Sequence, residues 1–254
     1  MTDASQDIIL ETRNLGKQFM GFAAVTNVNL RVRRGVIHAL IGPNGAGKTT
    51  CFNLLTKFVE PSTGQIFFNG LDITRKKPAQ VARRGLIRSF QISAVFPHLS
   101  VLENVRVALQ RDLGTHYHFW RSQRSLQVLD GRARELLDQV GLGPFASTLA
   151  VELPYGRKRA LEIATTLACE PELMLLDEPT QGMGHEDVDQ VMALIKSVAA
   201  GRTILMVEHN MKVVSGISDR ITVLARGSIL AEGSYAEVSR NSDVITAYMG
   251  SAAA

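Results

Sequence analysis

Gly42-Pro43-Asn44-Gly45-Ala46-Gly47-Lys48-Thr49-Thr50 follows the pattern G-x-x-x-x-G-K-[ST]. That spacing suits a nucleoside triphosphate. Glycines let backbone N–H groups close around phosphate oxygens, and the N-terminus of a following helix adds positive dipole. Lys48 can reach the β- and γ-phosphates, and the Thr49 hydroxyl can ligate Mg²⁺. The flanks agree with this reading. Val36 to Ile41 is apolar and β-rich, and Cys51 to Phe58 has helical character. A strand, a turn and a helix form the setting the motif requires. A chance glycine-rich turn would not be expected to match both spacing and flanks.

A second constellation is Leu173-Met174-Leu175-Leu176-Asp177-Glu178. A fully apolar strand ending in two acids fits a buried parallel strand that delivers carboxylates at its C-terminal edge. Asp177 would hold Mg²⁺ through water, and Glu178 would polarise the water that attacks the γ-phosphorus. The ordinary alternative, a strand followed by an acidic turn, is weak beside the phosphate loop. His209 follows another apolar strand, Thr203 to Val207. Neighbouring strand ends in a parallel sheet converge, which brings His209 toward the γ-phosphate; a lone His at a strand end is otherwise structural. Gln91 closes the strand Leu86–Phe90. Its neutral amide can touch Mg²⁺ or the attacking water, or it is a surface loop glutamine.

The elements that must position these groups are legible in outline. Ile8–Glu11 and Val28–Val32 show the partial alternation of antiparallel strands, and Gln65–Phe68 is a third, closed by Asn69-Gly70. Pro78–Arg84 reads as a short helix. Ser100 and Glu103 form a capping box at the start of another. Ser125–Val140 places Leu126, Leu129, Ala133, Leu136, Leu137 and Val140 on one helical face. Between these two helices, His116 to Trp120 is either a contact surface or a small hydrophobic anchor. From residue 156 the pattern alternates: helix 156–169, strand 173–177, helix 186–200, strand 203–207, helix 210–217, strand 220–225. That is α/β with a mainly parallel sheet, interrupted by a helical segment over 92–155. Ser251–Ala254 is expected to fray.

Bulk properties narrow the class further. The 254 residues, 45% hydrophobic, suit one large domain or two small ones. No apolar stretch reaches membrane-helix length, and the acidic, polar Met1–Asp7 is not expected to act as a signal peptide. A cytosolic location is expected, with any membrane role supplied by a partner. The net charge of +4 suits an anionic nucleotide or membrane surface. The basic residues are scattered and no nucleic-acid-binding signature is present, so no nucleic acid is expected. Cys51 and Cys169 lack metal or CxxC spacing and are expected to be buried, reduced thiols.

The phosphate loop, Gln91, Asp177-Glu178-Pro179-Thr180 and His209 occur in the order seen in ATP-binding cassette ATPases, which the chain resembles over nearly its whole length. The resemblance implies one nucleotide-binding domain over 1–254. Its P-loop NTPase (RecA-like) core, with an antiparallel β subdomain, would span about 6–91 and 156–250. An inserted α-helical subdomain would occupy 92–155 and bring in the signature motif. ATP and Mg²⁺ are the implied cofactors, with Thr49, Gln91 and Asp177 toward the metal. Phe19 matches the aromatic that stacks on adenine. The signature, which completes the ATP site of a second cassette, falls at Leu153-Pro154-Tyr155-Gly156-Arg157. Two departures from the family pattern stand out. Pro154 replaces a serine, removing a hydroxyl and an N–H, while the Gly156 amide and the helix dipole remain. Gln181-Gly182-Met183-Gly184-His185 lacks the Asp that usually crosses the dimer interface.

Within the family, Phe90 to Val105, the Leu-x-Tyr-Gly signature, Leu161-Glu162-Ile163-Ala164, Val207 to Lys212 and Asp243 to Gly250 resemble importers of branched-chain amino acids and related amides. The implied partners are transmembrane permease subunits, a second ATP-binding subunit (identical or paralogous) and, indirectly, a periplasmic substrate-binding protein. The implied location is the inner face of the cell membrane. Phe96, Pro97, His98 and Leu99 would meet the permease, although Phe96 suits packing within the helical segment equally well. The alternatives are urea or amide uptake, lipopolysaccharide export, and a non-transport ATPase of the same family. Tandem cassettes and long coiled coils, which mark many non-transport members, are absent. So is the Asn-Lys-x-Asp motif of a GTPase.

Overall fold

The computed structural model describes residues 7–89, 95–110 and 127–250. Its strands are β1 (Ile8–Phe19), β2 (Phe22–Val28), β3 (Arg31–Arg33), β4 (Ile37–Ile41), β5 (Thr63–Phe68), β6 (Leu71–Asp72), β7 (Leu86–Ser89), β8 (Leu173–Asp177), β9 (Thr203–Val207), β10 (Arg220–Ala225) and β11 (Ser228–Gly233). Its helices are α1 (Lys48–Leu55), α2 (Pro78–Ala82), α3 (Val101–Leu109), α4 (Asp130–Gln139), α5 (Tyr155–Leu167), α6 (His185–Val198), α7 (Met211–Ile217), α8 (Tyr235–Val238) and α9 (Ser242–Gly250). They form two compact units. The first holds residues up to Arg88, Glu172–Pro179 and those from Ala199 on; the second holds Ser89–Pro171 and Thr180–Val198.

The first unit contains two sheets. In the antiparallel one the order is β2-β1-β5-β6, with β3 also on β1. Met20 and Gly21 turn β1 into β2 with φ of 45° and 89°, the backbone of a two-residue hairpin turn. The sequence suggests one strand over Val28–Val32, but the chain breaks it in two. Buried Thr12 explains the break: its hydroxyl donates to the Val28 carbonyl and accepts from the Leu30 N–H, both at 2.8 Å. A side chain thus satisfies backbone groups where the ladder lapses.

The second sheet runs β11-β10-β4-β9-β8-β7. β10, β4, β9 and β8 are parallel neighbours, and β11 is antiparallel to β10. Every residue of β4, β8 and β9 is buried, which is why, His38 and the terminal Asp177 and Thr203 aside, these strands read as apolar runs rather than alternations. Cys51, Phe52, Leu54 and Leu55 of α1 share one core with Ile9, Leu10, Ile66 and Phe68 of the antiparallel sheet and with Leu40, Leu175 and Leu205 of the parallel one. Burial pushes the Cys51 thiol up to about 12, so it stays protonated. Cys169, expected to be buried, is only partly so.

The second unit is helical. Ser100 caps α3 as the sequence indicates, with the Glu103 N–H donating to the Ser100 hydroxyl at 3.2 Å and the Ser100 N–H donating to Glu103 at 2.8 Å. α4 begins at Asp130, later than the periodicity from Ser125 suggests. Buried Asn104 stitches the loop before α3. It accepts from the Phe96 N–H at 2.6 Å and donates to the carbonyls of Phe96, Leu99 and Ser100.

One buried histidine makes the first unit sensitive to acid. His38 of β4 is fully buried, with Nε2 at 2.8 Å from the Thr222 hydroxyl, which donates to Glu232 at 3.0 Å. Thr222 therefore accepts from His38 Nε2–H, which assigns the neutral tautomer. Desolvation lowers the His38 pKa to about 4; Glu232 raises it and Arg220 lowers it. The folded-state value lies below the unfolded value. Stability is therefore full above about pH 6.5 and declines as the pH falls toward 4, because only the unfolded chain binds the proton. At pH 5 the loss is about 2 kcal/mol. His38→Gln is expected to remove this component. Urea midpoints at pH 7.5 and pH 5 check it, and an equal acid loss in both proteins would contradict it.

Candidate functional site

The parallel register brings three loops to one edge. Leu40 of β4 and Asp177 of β8 both align with Val207 of β9, the strand between them. The phosphate loop after β4, Glu178 after β8 and His209 after β9 therefore start level. This is the carboxyl edge at which open α/β sheets bind ligands.

Steric crowding from behind sets the phosphate loop. Gly42 has φ 154°, and a Cβ there would lie 2.1 Å from the Leu224 carbonyl oxygen. Gly47 has φ 99°, and its Cβ would lie 2.6 Å from the Ala24 oxygen. Neither position admits a side chain. Lys48 opens α1, and its ammonium donates to the carbonyls of Gly42 at 2.7 Å and Pro43 at 3.0 Å. Burial lowers the Lys48 pKa, an effect opposed by the charge of Glu178, so ammonium and carboxylate share one local field. Thr49 is exposed in the first turn of α1. Asn44 and Gly45 are exposed, Pro43, Gly47 and Thr50 half-buried, and Ala46 buried.

Asp177 is buried at the end of β8 and ion-paired with Arg88 of β7. The next residue, Glu178, has φ 45°, a left-handed conformation uncommon for a side-chain-bearing residue, while its N–H still bonds the Val207 carbonyl at 2.9 Å. The turn lifts Glu178 out of the strand. His209 Nδ1 lies 3.8 Å from Glu178 Oε1. Glu208 shapes that approach: its buried carboxylate accepts from the N–H groups of His209 and Asn210 at 3.0 and 3.1 Å. Asn210 then caps α7.

Arg88 and Glu208 escape a motif-based reading, yet each leaves a trace in the sequence. Arg88 is a charge within the otherwise largely apolar strand Leu86–Phe90, and Glu208 is an acid directly after an all-apolar strand. A third missed element is α9, which approaches the phosphate loop from outside. A cavity of about 620 Å³ is lined by Pro43, Asn44, Arg226, Leu230, Asp243 and Thr246, among others. Burial pushes the Tyr248 phenol up to about 12, and the Gly42 N–H opposes that shift.

The remaining expected residues fall in separate places. Phe19 ends β1, 44% exposed, with Lys17 Nζ 5.0 Å from its ring centre. Gln91 and the His116–Trp120 segment lie outside the described residues. The signature segment belongs to the second unit. Leu153 is buried, and Pro154 is the N-cap of α5, with no side-chain hydrogen bond. The Tyr155 hydroxyl donates to the Gln181 carbonyl at 3.2 Å. A Cβ on Gly156 would lie 3.1 Å from Asp187 Oδ1. The Arg157 guanidinium sits 4.0 Å from the Phe145 ring centre.

The oxygen donors at the edge, the Thr49 hydroxyl and the Asp177 carboxylate, fit Mg²⁺, which takes one or two carboxylates and completes its shell with phosphate oxygens and waters. Among the described residues no group of three or more His, Cys, Asp or Glu could hold a metal by itself. No described helix is long and apolar enough to cross a membrane.

A glycine-rich loop between a buried strand and a helix, level with two acids at the end of β8 on the far side of β9, defines a P-loop nucleotide-binding α/β protein. The ABC transporter model matches residues 25–181, and the model described as branched-chain amino acid ATP-binding cassette transporter matches 228–254. The high-affinity branched-chain amino acid transport ATP-binding protein BraF of Pseudomonas aeruginosa is 39% identical, over 96% of this chain and 98% of that protein. A crystal structure of an ABC transporter's ATP-binding cassette in its ADP conformation superposes with TM-score 0.84 and 28% identity, covering 96% of this chain and 99% of that one. A dimeric cassette in a post-hydrolysis state, bound to ADP and Pi, gives TM-score 0.73 and 26% identity, covering 89% and 98%. The chain belongs to the ABC transporter family, whose ATP-binding proteins hydrolyse ATP, and it is an ATPase.

The N-cap at residue 154 is testable on its own. Pro154→Ser supplies a hydroxyl able to accept an orphan N–H of α5, worth about 1 kcal/mol. The thermal midpoint is expected to rise by about 3 °C. An unchanged or lower midpoint in a calorimetric scan would show that the ring's rigidity outweighs the cap.

Proposed function

We propose that this chain is the ATP-hydrolysing subunit of a bacterial importer for branched-chain or other hydrophobic amino acids, held on the inner face of the cell membrane by its permease subunits. The level alignment of the phosphate loop, Glu178 and His209 on one sheet edge carries the hydrolytic part of this reading. The match over residues 228–254 and the likeness to BraF support the cargo class.

The backbone N–H groups of Gly42–Thr50 and the Lys48 ammonium bind the phosphates, and Phe19 stacks on the adenine. Thr49, Asp177 and Gln91 would hold Mg²⁺. Bound with the nucleotide, that ion would supply neutralisation of phosphate charge. Glu178 accepts a proton from the attacking water, and His209, 3.8 Å away, orients the carboxylate and the γ-phosphate. Leu153–Arg157 of a second cassette closes the site from the opposite side; the dimeric structural relative supports that arrangement. The helical segment 92–155 serves as the lobe that carries the motion to the permease. Its loop at Phe96–Leu99 is the docking point, supported by the 53% exposure of Phe96 and the bracing by Asn104. A periplasmic binding protein delivers the cargo.

Lys48→Ala is expected to weaken ATP binding at least a hundredfold, measured by calorimetric titration; wild-type affinity would remove the phosphate-loop assignment. Glu178→Gln is expected to cut turnover by more than a hundredfold and to accumulate an ATP-bound dimer in gel filtration, whereas near-normal turnover argues against Glu178 as the base. Cargo is tested on the intact membrane complex, where leucine, isoleucine or valine with the binding protein should stimulate ATPase activity.

A further inference from the structure

Arg88 is a charge that the proposed mechanism leaves unused. It lies on β7 with its side chain only 10% exposed, beside an Asp177 side chain that is 1% exposed. One guanidinium nitrogen bonds Asp177 Oδ2, and the other donates to Asn53 Oδ1 of α1 at 2.7 Å. The Phe52 and Phe58 ring centres each lie 5.9 Å from its central carbon. One buried cation thus joins the helix after the phosphate loop, the acidic strand and the strand leading toward Gln91. It is also the last residue of the first unit before the chain crosses into the second.

A carboxylate as buried as Asp177 cannot stand uncompensated. Among the described residues no group of three or more His, Cys, Asp or Glu could hold a metal by itself, so Mg²⁺ at Asp177 would draw on the phosphate oxygens of a nucleotide. Something in the chain must therefore balance Asp177 between turnovers. We propose that Arg88 is the resident counter-ion of Asp177, a positioning residue that holds this carboxylate in place while no metal–nucleotide is bound and shares it with the metal afterwards. This inference rests on the reading of Asp177 as a metal-holding group.

The test uses the full chain and thermal unfolding in four forms: wild type, Arg88→Met, Asp177→Asn and the double variant. Each is measured without nucleotide, with ADP in EDTA, and with ADP and Mg²⁺. Methionine keeps an apolar stem against Phe52 and Phe58 but removes the charge. Nucleotide-free Arg88→Met is expected to melt roughly 10 °C below wild type, and the double variant to recover most of that loss. The extra stabilisation that Mg²⁺ adds to ADP is expected to be larger in Arg88→Met than in wild type, because the metal then replaces the missing cation.

A double variant as unstable as Arg88→Met overturns the proposal, since Arg88 would then act through packing. If Arg88→Met yields no folded protein, the double variant decides in the same way: folded supports the proposal, unfolded overturns it. An Mg²⁺ increment no larger in Arg88→Met than in wild type, with the increment lost in Asp177→Asn, overturns the Arg88 inference alone. An increment retained in Asp177→Asn removes the metal reading beneath it.

Discussion

Negative charge has to be gathered at one sheet edge and kept from driving itself apart. Asp177 and Glu178 sit side by side where the family's ligand brings a triphosphate. Lys48, Arg88, the loop N–H groups and the dipole of α1 oppose that repulsion. These groups are useful only if their spacing is fixed, and the fixing comes from apolar packing. Every residue of β4, β8 and β9 is buried, and α1 shares its core with both sheets of the first unit. The hydrophobic effect thus holds an electrostatic arrangement that would not assemble by itself.

The same logic accounts for the backbone at the edge. Glu178 leaves the strand in a left-handed turn while its N–H remains in the ladder. Consecutive acids therefore diverge: Asp177 stays buried against Arg88, and Glu178 emerges toward His209. Two chemically similar residues acquire different surroundings from one backbone angle. The next strand uses a side chain instead: the buried Glu208 carboxylate accepts the His209 and Asn210 N–H groups where the chain leaves β9.

What the sequence reveals follows from what buried parallel strands look like. β8, β9 and β10 match their expected limits because their buried stretches are almost wholly apolar, which marks them out from the polar turns on either side. The phosphate loop is legible because steric crowding at Gly42 and Gly47 leaves no alternative to glycine. The cap on α3 is legible because both partners lie within one turn. The break between β2 and β3 is not, since it depends on Thr12 of β1 meeting Val28 and Leu30, which are distant from it in sequence. Arg88 is hidden for the same reason: its partner Asp177 is distant in sequence and only the sheet brings them together. The packing of α9 near the phosphate loop is likewise a tertiary fact with no local pattern.

The sheet order has a consequence for the birth of the molecule. β4, which leads into the phosphate loop, has β9 and β10 as its two neighbours, and both lie beyond residue 200. The antiparallel sheet, by contrast, is complete by Asp72. On the ribosome the antiparallel sheet can form early, while β4 waits with both edges bare until the last quarter of the chain emerges. Such long-range pairing slows folding and exposes strand edges meanwhile. The strand that leads into the phosphate loop thus owes both of its sheet neighbours to the last quarter of the chain.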